Sequence, residues 1–147
     1  MTIEIRKMTG TDLDVWSRMR ACLWQSLDLD GHRAEIVTMV GNVRHRAYLA
    51  AGSTGEAYGF AEVSIRDYAN GCTQTPVPFL EGIWVEPAVR RLGVGAALLS
   101  AIQAELQAEG YVELCSDARL ENLVSHEAHA AWGFQETQRV VYFRKAL

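Results

Sequence analysis

Cysteine and proline are scarce in this chain, three of each in 147 residues. Cys22, Cys72 and Cys115 are widely scattered, with neither CxxC pairs nor histidines at metal-ligand spacing, so neither disulfides nor structural zinc is expected. No stretch approaches the roughly 18 apolar residues that a membrane span requires. The N-terminus, MTIEIRKMTG, has no apolar run of the signal-peptide kind. These absences predict a cytoplasmic protein with no membrane partner. Positive charge is also in deficit, 14 Lys and Arg against 18 Asp and Glu, a net charge of -4. That balance leaves no electrostatic footprint for nucleic acid and makes a cationic partner the more natural one. Repeats, low-complexity tracts and linkers are missing too, and a 49% hydrophobic share suits a globular chain. Residues 1–147 are therefore expected to form a single domain.

What is present reads as alternating strands and helices. IEIRKM (3–8) alternates apolar and polar residues as a half-buried strand does. A helix is predicted over 11–24, with Thr11 as cap and Leu13, Trp16, Met19 and Leu23 near one face. A second helix is expected over 32–41, then strands over 46–52, 57–68 and 79–87, the last ended by Pro87. Val94, Ala97, Leu98, Ala101, Ile102 and Leu106 keep helical spacing up to Gly110, a candidate left-handed cap. A strand over 111–116, a helix over 120–132 stopped by Gly133, and a final strand in FQETQRVVYFRKAL complete the order.

The most informative stretch is VRRLGVGAALL (89–99), where a strand leads through Arg90, Gly93 and Gly95 into the long helix. Such a loop aims unpaired backbone N–H groups and the positive end of the helix dipole at one point, an anion site. Arginines there add charge-assisted contacts. A Walker loop is excluded because no lysine follows, and a dinucleotide fingerprint because Leu98 stands where a third glycine is needed.

Arg90-x-x-Gly93-x-Gly95 after a strand ending in V-x-P resembles the acyl-CoA signature of the Gcn5-related N-acetyltransferase (GNAT) superfamily. The resemblance implies an α/β fold of that type: a central mixed, mostly antiparallel sheet, splayed between strands 4 and 5 and flanked by about four helices. It implies that Arg90, Arg91, Leu92, Gly93, Val94, Gly95 and Ala96 hold the pyrophosphate of acetyl-CoA. Ile83, Trp84 and Val85 would pair with its pantetheine arm, and Asn122 matches the family's asparagine. Where many members place a tyrosine to protonate the departing thiolate, this chain has His129, which can either donate that proton or simply pack. No metal is implied.

A resemblance covering nearly the whole chain, through VSIRDYANGC, PVPFLEGIWVEPAVRRLGV, SDARLEN and HAAWGFQETQRVVYFRK, is to the aminoglycoside 6'-N-acetyltransferases. It implies a polycationic aminosugar bound by Trp24, Tyr68, Glu81, Asp117 and Glu136, and direct acetyl transfer in a ternary complex. Glu81 is the expected proton acceptor, because a protonated amine cannot attack a thioester. Simpler readings stand beside these: a core role for Trp24 and Tyr68, a cap or turn for Asp117, a surface strand position for Glu136. Two alternatives also stand, acetylation of another amine such as a polyamine or a protein N-terminus, and a non-catalytic acyl-CoA sensor. The apolar C-terminal strand predicts a homodimer, since it would otherwise leave a sheet edge open.

Overall fold

The computed structural model describes residues 1–147. The strands are β1 (Glu4–Lys7), β2 (His45–Ala51), β3 (Ala57–Arg66), β4 (Val77–Val85) and β5 (Cys115–Ser116). The helices are α1 (Leu13–Leu23), α2 (Leu29–Met39), α3 (Val94–Ala108) and α4 (Leu123–Ala131). One sheet carries the strands in the order β1-β2-β3-β4-β5. All pairings are antiparallel except β4 with β5, which is parallel. This is the mixed, mostly antiparallel sheet that the family resemblance implies. No helix is long and apolar enough to cross a membrane.

Strand alternation sorts side chains onto two cores. Tyr48, Ala50, Ala61, Val63, Ile65 and Leu80 face α3, whose Val94, Leu98, Ile102 and Leu106 fill the space above them. Ala47, Leu49, Ala51 and Phe60 face the other way, onto Trp16 and Met19 of α1 and Ile36 of α2. β4 breaks its own period. Leu80 packs on the α3 side, yet so do Ile83 and Val85, which requires one extra residue between them. The register supplies it: Glu62 faces Gly82 while Val63 faces Leu80, so Glu81 is the unpaired residue of a β-bulge.

Local chemistry sets the helix ends. Thr9, not Thr11, makes the first cap: it forms a capping box with Asp12, which also accepts two hydrogen bonds from Arg6, at 2.7 and 2.9 Å. Asp28 caps α2 through the Gly31 N–H, so that helix starts at Leu29, before the predicted residue 32. Gly110 and Gly133 both take positive φ beyond α3 and α4, as the stop signals predict.

Three expectations are corrected. The strand over 111–116 shrinks to Cys115–Ser116. In the parallel register Leu114 would meet Pro78, which has no N–H to donate. Residues 112 and 113 bond the preceding loop instead: Val112 N–H donates to the Gln74 side chain, and the Glu113 carboxylate accepts from the Thr73 and Gln74 backbone. The C-terminal strand is absent as a paired element, because residues 134–147 find no strand to pair with in their own chain, and Val141, Tyr142 and Phe143 lie exposed. Finally, Cys72 and Cys115 form a disulfide, Cα to Cα 6.4 Å, against the expectation of none. The fold brings them together under the small cluster of Ala69, Val77 and Phe79, across a separation of 43 residues.

Candidate active site

The site is a fork between β4 and β5. The two strands pair only at Phe79 with Cys115 and Leu80 with Ser116. β5 then ends, while β4 continues to Val85. From Gly82 onward the β5-facing edge of β4 has no strand partner, which leaves the backbone groups of Ile83 and the Val85 N–H open to an extended ligand; Trp84, expected to share that role, alternates the other way and faces Phe60 of β3. Glu81 and Asp117 are the first residues past the last paired position on each branch.

The bulge aims Glu81 across β3. Its Oε1 accepts from Arg66 Nε at 2.8 Å and its Oε2 from Arg66 Nη2 at 2.7 Å, while the Ser64 hydroxyl bonds Oε1. Burial pushes the Glu81 carboxyl up, but the hydrogen bonds from Arg66 and Ser64 outweigh it and hold it below its ordinary value. Glu81 is therefore ionised at neutral pH. A second carboxyl, Glu62, lies buried on β3, opposite Gly82. It accepts from Trp16 Nε1 at 2.9 Å and pairs with Arg20 at 3.5 Å, and burial raises its carboxyl despite both.

The other acceptor-side residues are brought in unevenly. Trp24 closes α1, half-buried, edge-on to Phe60 and with Arg20 4.9 Å above its ring. It lies flat on β4, where a Cβ on Gly82 would overlap its ring. Asp117 is exposed and contributes to the field on Arg66. Tyr68 is exposed in the loop after β3 and donates to Asn70 Oδ1 at 2.8 Å. Glu136 does not join Glu81 and pairs with Arg139 in the C-terminal segment.

On the donor side, α3 begins at Gly93, which is left-handed at φ 91° and offers no side-chain cap. Its first-turn N–H groups therefore point outward as free donors, and a Cβ at Gly93 would meet nothing within 4 Å. Arg91 also takes a left-handed φ of 63°, and with Leu92 and Ala96 it is exposed around the same turn. Arg90 spends one donor on the fold: its Nε bonds the Val85 carbonyl at 2.9 Å and ties the loop to the end of β4. A Cβ on Gly95 would come within 2.7 Å of the Trp132 ring, so the absence of a side chain there makes room for α4.

Asn122 caps α4, accepting from the Ser125 N–H at 3.2 Å. His129 faces β5 from α4, packed between Trp132 and Phe134. Its Nδ1 donates to the Ser125 carbonyl at 2.7 Å, which leaves Nε2 toward the Ser116 hydroxyl at 2.8 Å. Ser116 also reaches the Leu80 carbonyl at 3.2 Å, at the point where the strands part. Sequence reasoning missed Ser64, Arg66 and Ser116. The signal for the first two was alternation, since Ser64 and Arg66 share a face of one strand. Nothing in the sequence linked them to Glu81.

The chain has relatives among known proteins. The family model for the acetyltransferase (GNAT) family matches residues 14–134. An aminoglycoside N(6')-acetyltransferase type 1 from Stenotrophomonas maltophilia is 44% identical over 144 residues, 97% of this chain and 93% of that protein. One from Serratia marcescens is 44% identical over 137 residues, 92% and 94% of the two chains. Among solved structures, AAC(6')-Iy in complex with the bisubstrate analog CoA-S-monomethyl-acetylneamine superposes with a TM-score of 0.91 at 38% identity, over 100% of both chains. AAC(6')-Ih from Acinetobacter baumannii superposes with a TM-score of 0.92 at 36% identity, over 99% of both.

Proposed function

The chain belongs to the acetyltransferase (GNAT) family, and from that membership we propose that it transfers the acetyl group of acetyl-CoA to the 6'-amine of aminoglycosides, a resistance activity. The observation that carries this reading is the fork itself. A free edge of β4 leads from an uncapped helix N-terminus to a pair of carboxylates, Glu81 and Asp117. Relatives similar over nearly the whole chain carry the same activity in their names.

The residues present fit acetyl-CoA, which supplies the thioester. The free N–H groups of residues 94–96 and the Gly93 turn suit its pyrophosphate, with Arg91 and the remaining donors of Arg90 beside them. Ile83 and Val85 would bond the pantetheine arm as an added strand, and a backbone N–H near Val85 would hold the developing oxyanion. Asn122 fits the donor side only through its amide N–H groups, since its carbonyl serves α4.

On the acceptor side, Trp24 and Tyr68 offer faces to the sugar rings, and Glu81 and Asp117 attract its ammonium groups, while Glu136 would join them only by leaving Arg139. Glu81 receives the amine proton, directly or through water. The amine then attacks the acetyl carbonyl within a ternary complex. The departing thiolate takes its proton from solvent or from His129 in its imidazolium form, whose Nε2–H would pass it through the Ser116 hydroxyl. The reading places residues 1–147 in one catalytic domain, in the cytoplasm and as a homodimer.

The test uses neomycin and paromomycin, which differ at the 6' position by an amine and a hydroxyl. A 6'-amine should be acetylated there, whereas the hydroxyl compound binds through its other ammonium groups and turns over very poorly. CoA thiol release and product analysis read the result. Equal turnover of the two compounds, or acetyl on another ring, would overturn the 6' assignment.

A further inference from the structure

An acidic pocket sets a physical conflict for an amine acetyltransferase. Carboxylates attract a polycation, but every carboxylate beside an ammonium also favours its protonated form, which has no lone pair for attack. Two bare carboxylates at the fork would bind the acceptor well and hold its reacting nitrogen inert.

The fork is not bare. Arg66, the last residue of β3, lies over the Phe79 ring with its guanidinium carbon 3.7 Å from the ring centroid, and from there makes both of its bonds to Glu81. A carboxylate offers about four lone-pair positions. Arg66 takes two on Glu81 and the Ser64 hydroxyl a third, so one acceptor direction remains, fixed by the planar fork of the guanidinium. The pair is not sealed off: the two side chains are 39% and 29% exposed. The titratable groups facing it are Asp117 beyond β5, His45 on β2, Glu62 on β3 and the Tyr142 phenol from the C-terminal segment. Of the nearby cations, Arg20 is committed to Glu35 and Glu62, and Arg46 to Glu109 and Glu105. Arg66 is the cation that shares the bulge carboxylate.

We propose that Arg66 is a positioning residue of the acceptor pocket, a built-in counter-cation that lets Glu81 orient the reacting amine without fixing it in its charged form. The role rests on the amine-acetyltransferase reading above. Asp117, which makes no ion pair with the chain, supplies the net attraction for the polycation. The permanent charge of Arg66 beside Glu81 lowers the cost of deprotonating the bound amine, and Glu81 keeps one lone pair aimed at the departing proton.

The experiment compares the parent enzyme with Arg66→Gln, Arg66→Met and Arg66→Lys, following kcat and KM for neomycin from pH 5.5 to 9, with acetyl-CoA affinity by calorimetry as the control. Met keeps an apolar stem on Phe79 while removing the charge and both bonds to Glu81, so a folding defect peculiar to Gln does not decide the matter. The neutral variants should bind neomycin more tightly, with KM several-fold lower, yet turn over about tenfold more slowly near pH 7. The acid limb of their kcat profile should move up by about one pH unit, the equivalent of that tenfold. Arg66→Lys should return the limb toward the parent position, and acetyl-CoA affinity should be unchanged throughout. Superimposable acid limbs, or a rise in KM with kcat and its profile intact, would overturn the role of Arg66 alone. Absence of neomycin turnover by the parent enzyme would overturn the substrate reading and the Arg66 role together.

Discussion

Glu81 is ionised but weakly basic, because the bonds that hold it also stabilise its charge. Its contribution to catalysis is then as much aim as basicity, and losing the charge should affect kcat more than binding. Glu81→Gln should lower kcat by about 10²- to 10⁴-fold, the range of a positioned proton acceptor. Steady-state kinetics with a 6'-amino substrate checks this. A raised KM with kcat and its pH profile unchanged would reduce Glu81 to a binding residue. The same charge bears on stability. A carboxyl held below its unfolded value stabilises the fold above the ordinary carboxylate range and loses that contribution as pH falls through its folded value. Acid should therefore erode the parent's stability more than the variant's across that window, which denaturant melts at several pH values would reveal. Glu81 was legible through the family resemblance and its place two residues before Ile83, on the strand expected to hold the pantetheine. Its partners were not. Ser64 and Arg66 reach it only because the bulge shifts the register of β4 by one residue, and no pattern in a single strand announces how it aligns with the next.

The helices were legible to within three residues at each end, since their periodicity and stop signals are local. α3 and its Gly110 cap fall where the apolar spacing predicts. β5 and the Cys72–Cys115 pair were not, because both depend on contacts between segments far apart in the chain. The donor cradle shows how far local reading carries. Both glycines of its signature were found, but their roles divide: Gly93 makes the left-handed turn that starts α3, whereas Gly95 makes room for Trp132. The clean test of the cradle is therefore Gly93→Ala. Its Cβ meets no neighbour, so the change acts through backbone conformation alone, at a cost of about 1–2 kcal/mol. If that turn presents the N–H groups to pyrophosphate, acetyl-CoA affinity should fall about tenfold for that cost, by calorimetry. Gly95→Ala should instead lower the melting temperature as α4 is pushed from α3. Unchanged acetyl-CoA affinity in Gly93→Ala would remove the cradle from the donor site.

At the scale of the whole molecule, residues 134–147 are unfinished business for the monomer. The segment reads as a strand, yet it pairs with nothing in its own chain and leaves Val141 76%, Tyr142 78% and Phe143 92% exposed. Consecutive exposed apolar residues on an extended segment are a template for pairing with another strand. A second copy of the chain offers the same segment, and a symmetric pairing would bury both. The segment also borders the acceptor pocket: Thr137 packs against Gly71 in the loop that carries Tyr68, and the Tyr142 phenol acts on Arg66. Dimerisation should therefore steady one wall of that pocket. Sedimentation at micromolar concentration should show a dimer, and Phe143→Lys, which places a charge in the paired segment, should shift it to monomer. Because Phe143 is exposed in the single chain, the monomeric variant should keep its fold and its acetyl-CoA affinity while KM for the aminoglycoside rises. A parent enzyme that sediments as a monomer would leave the C-terminal segment without this role. A dimer that persists in Phe143→Lys would move the interface elsewhere.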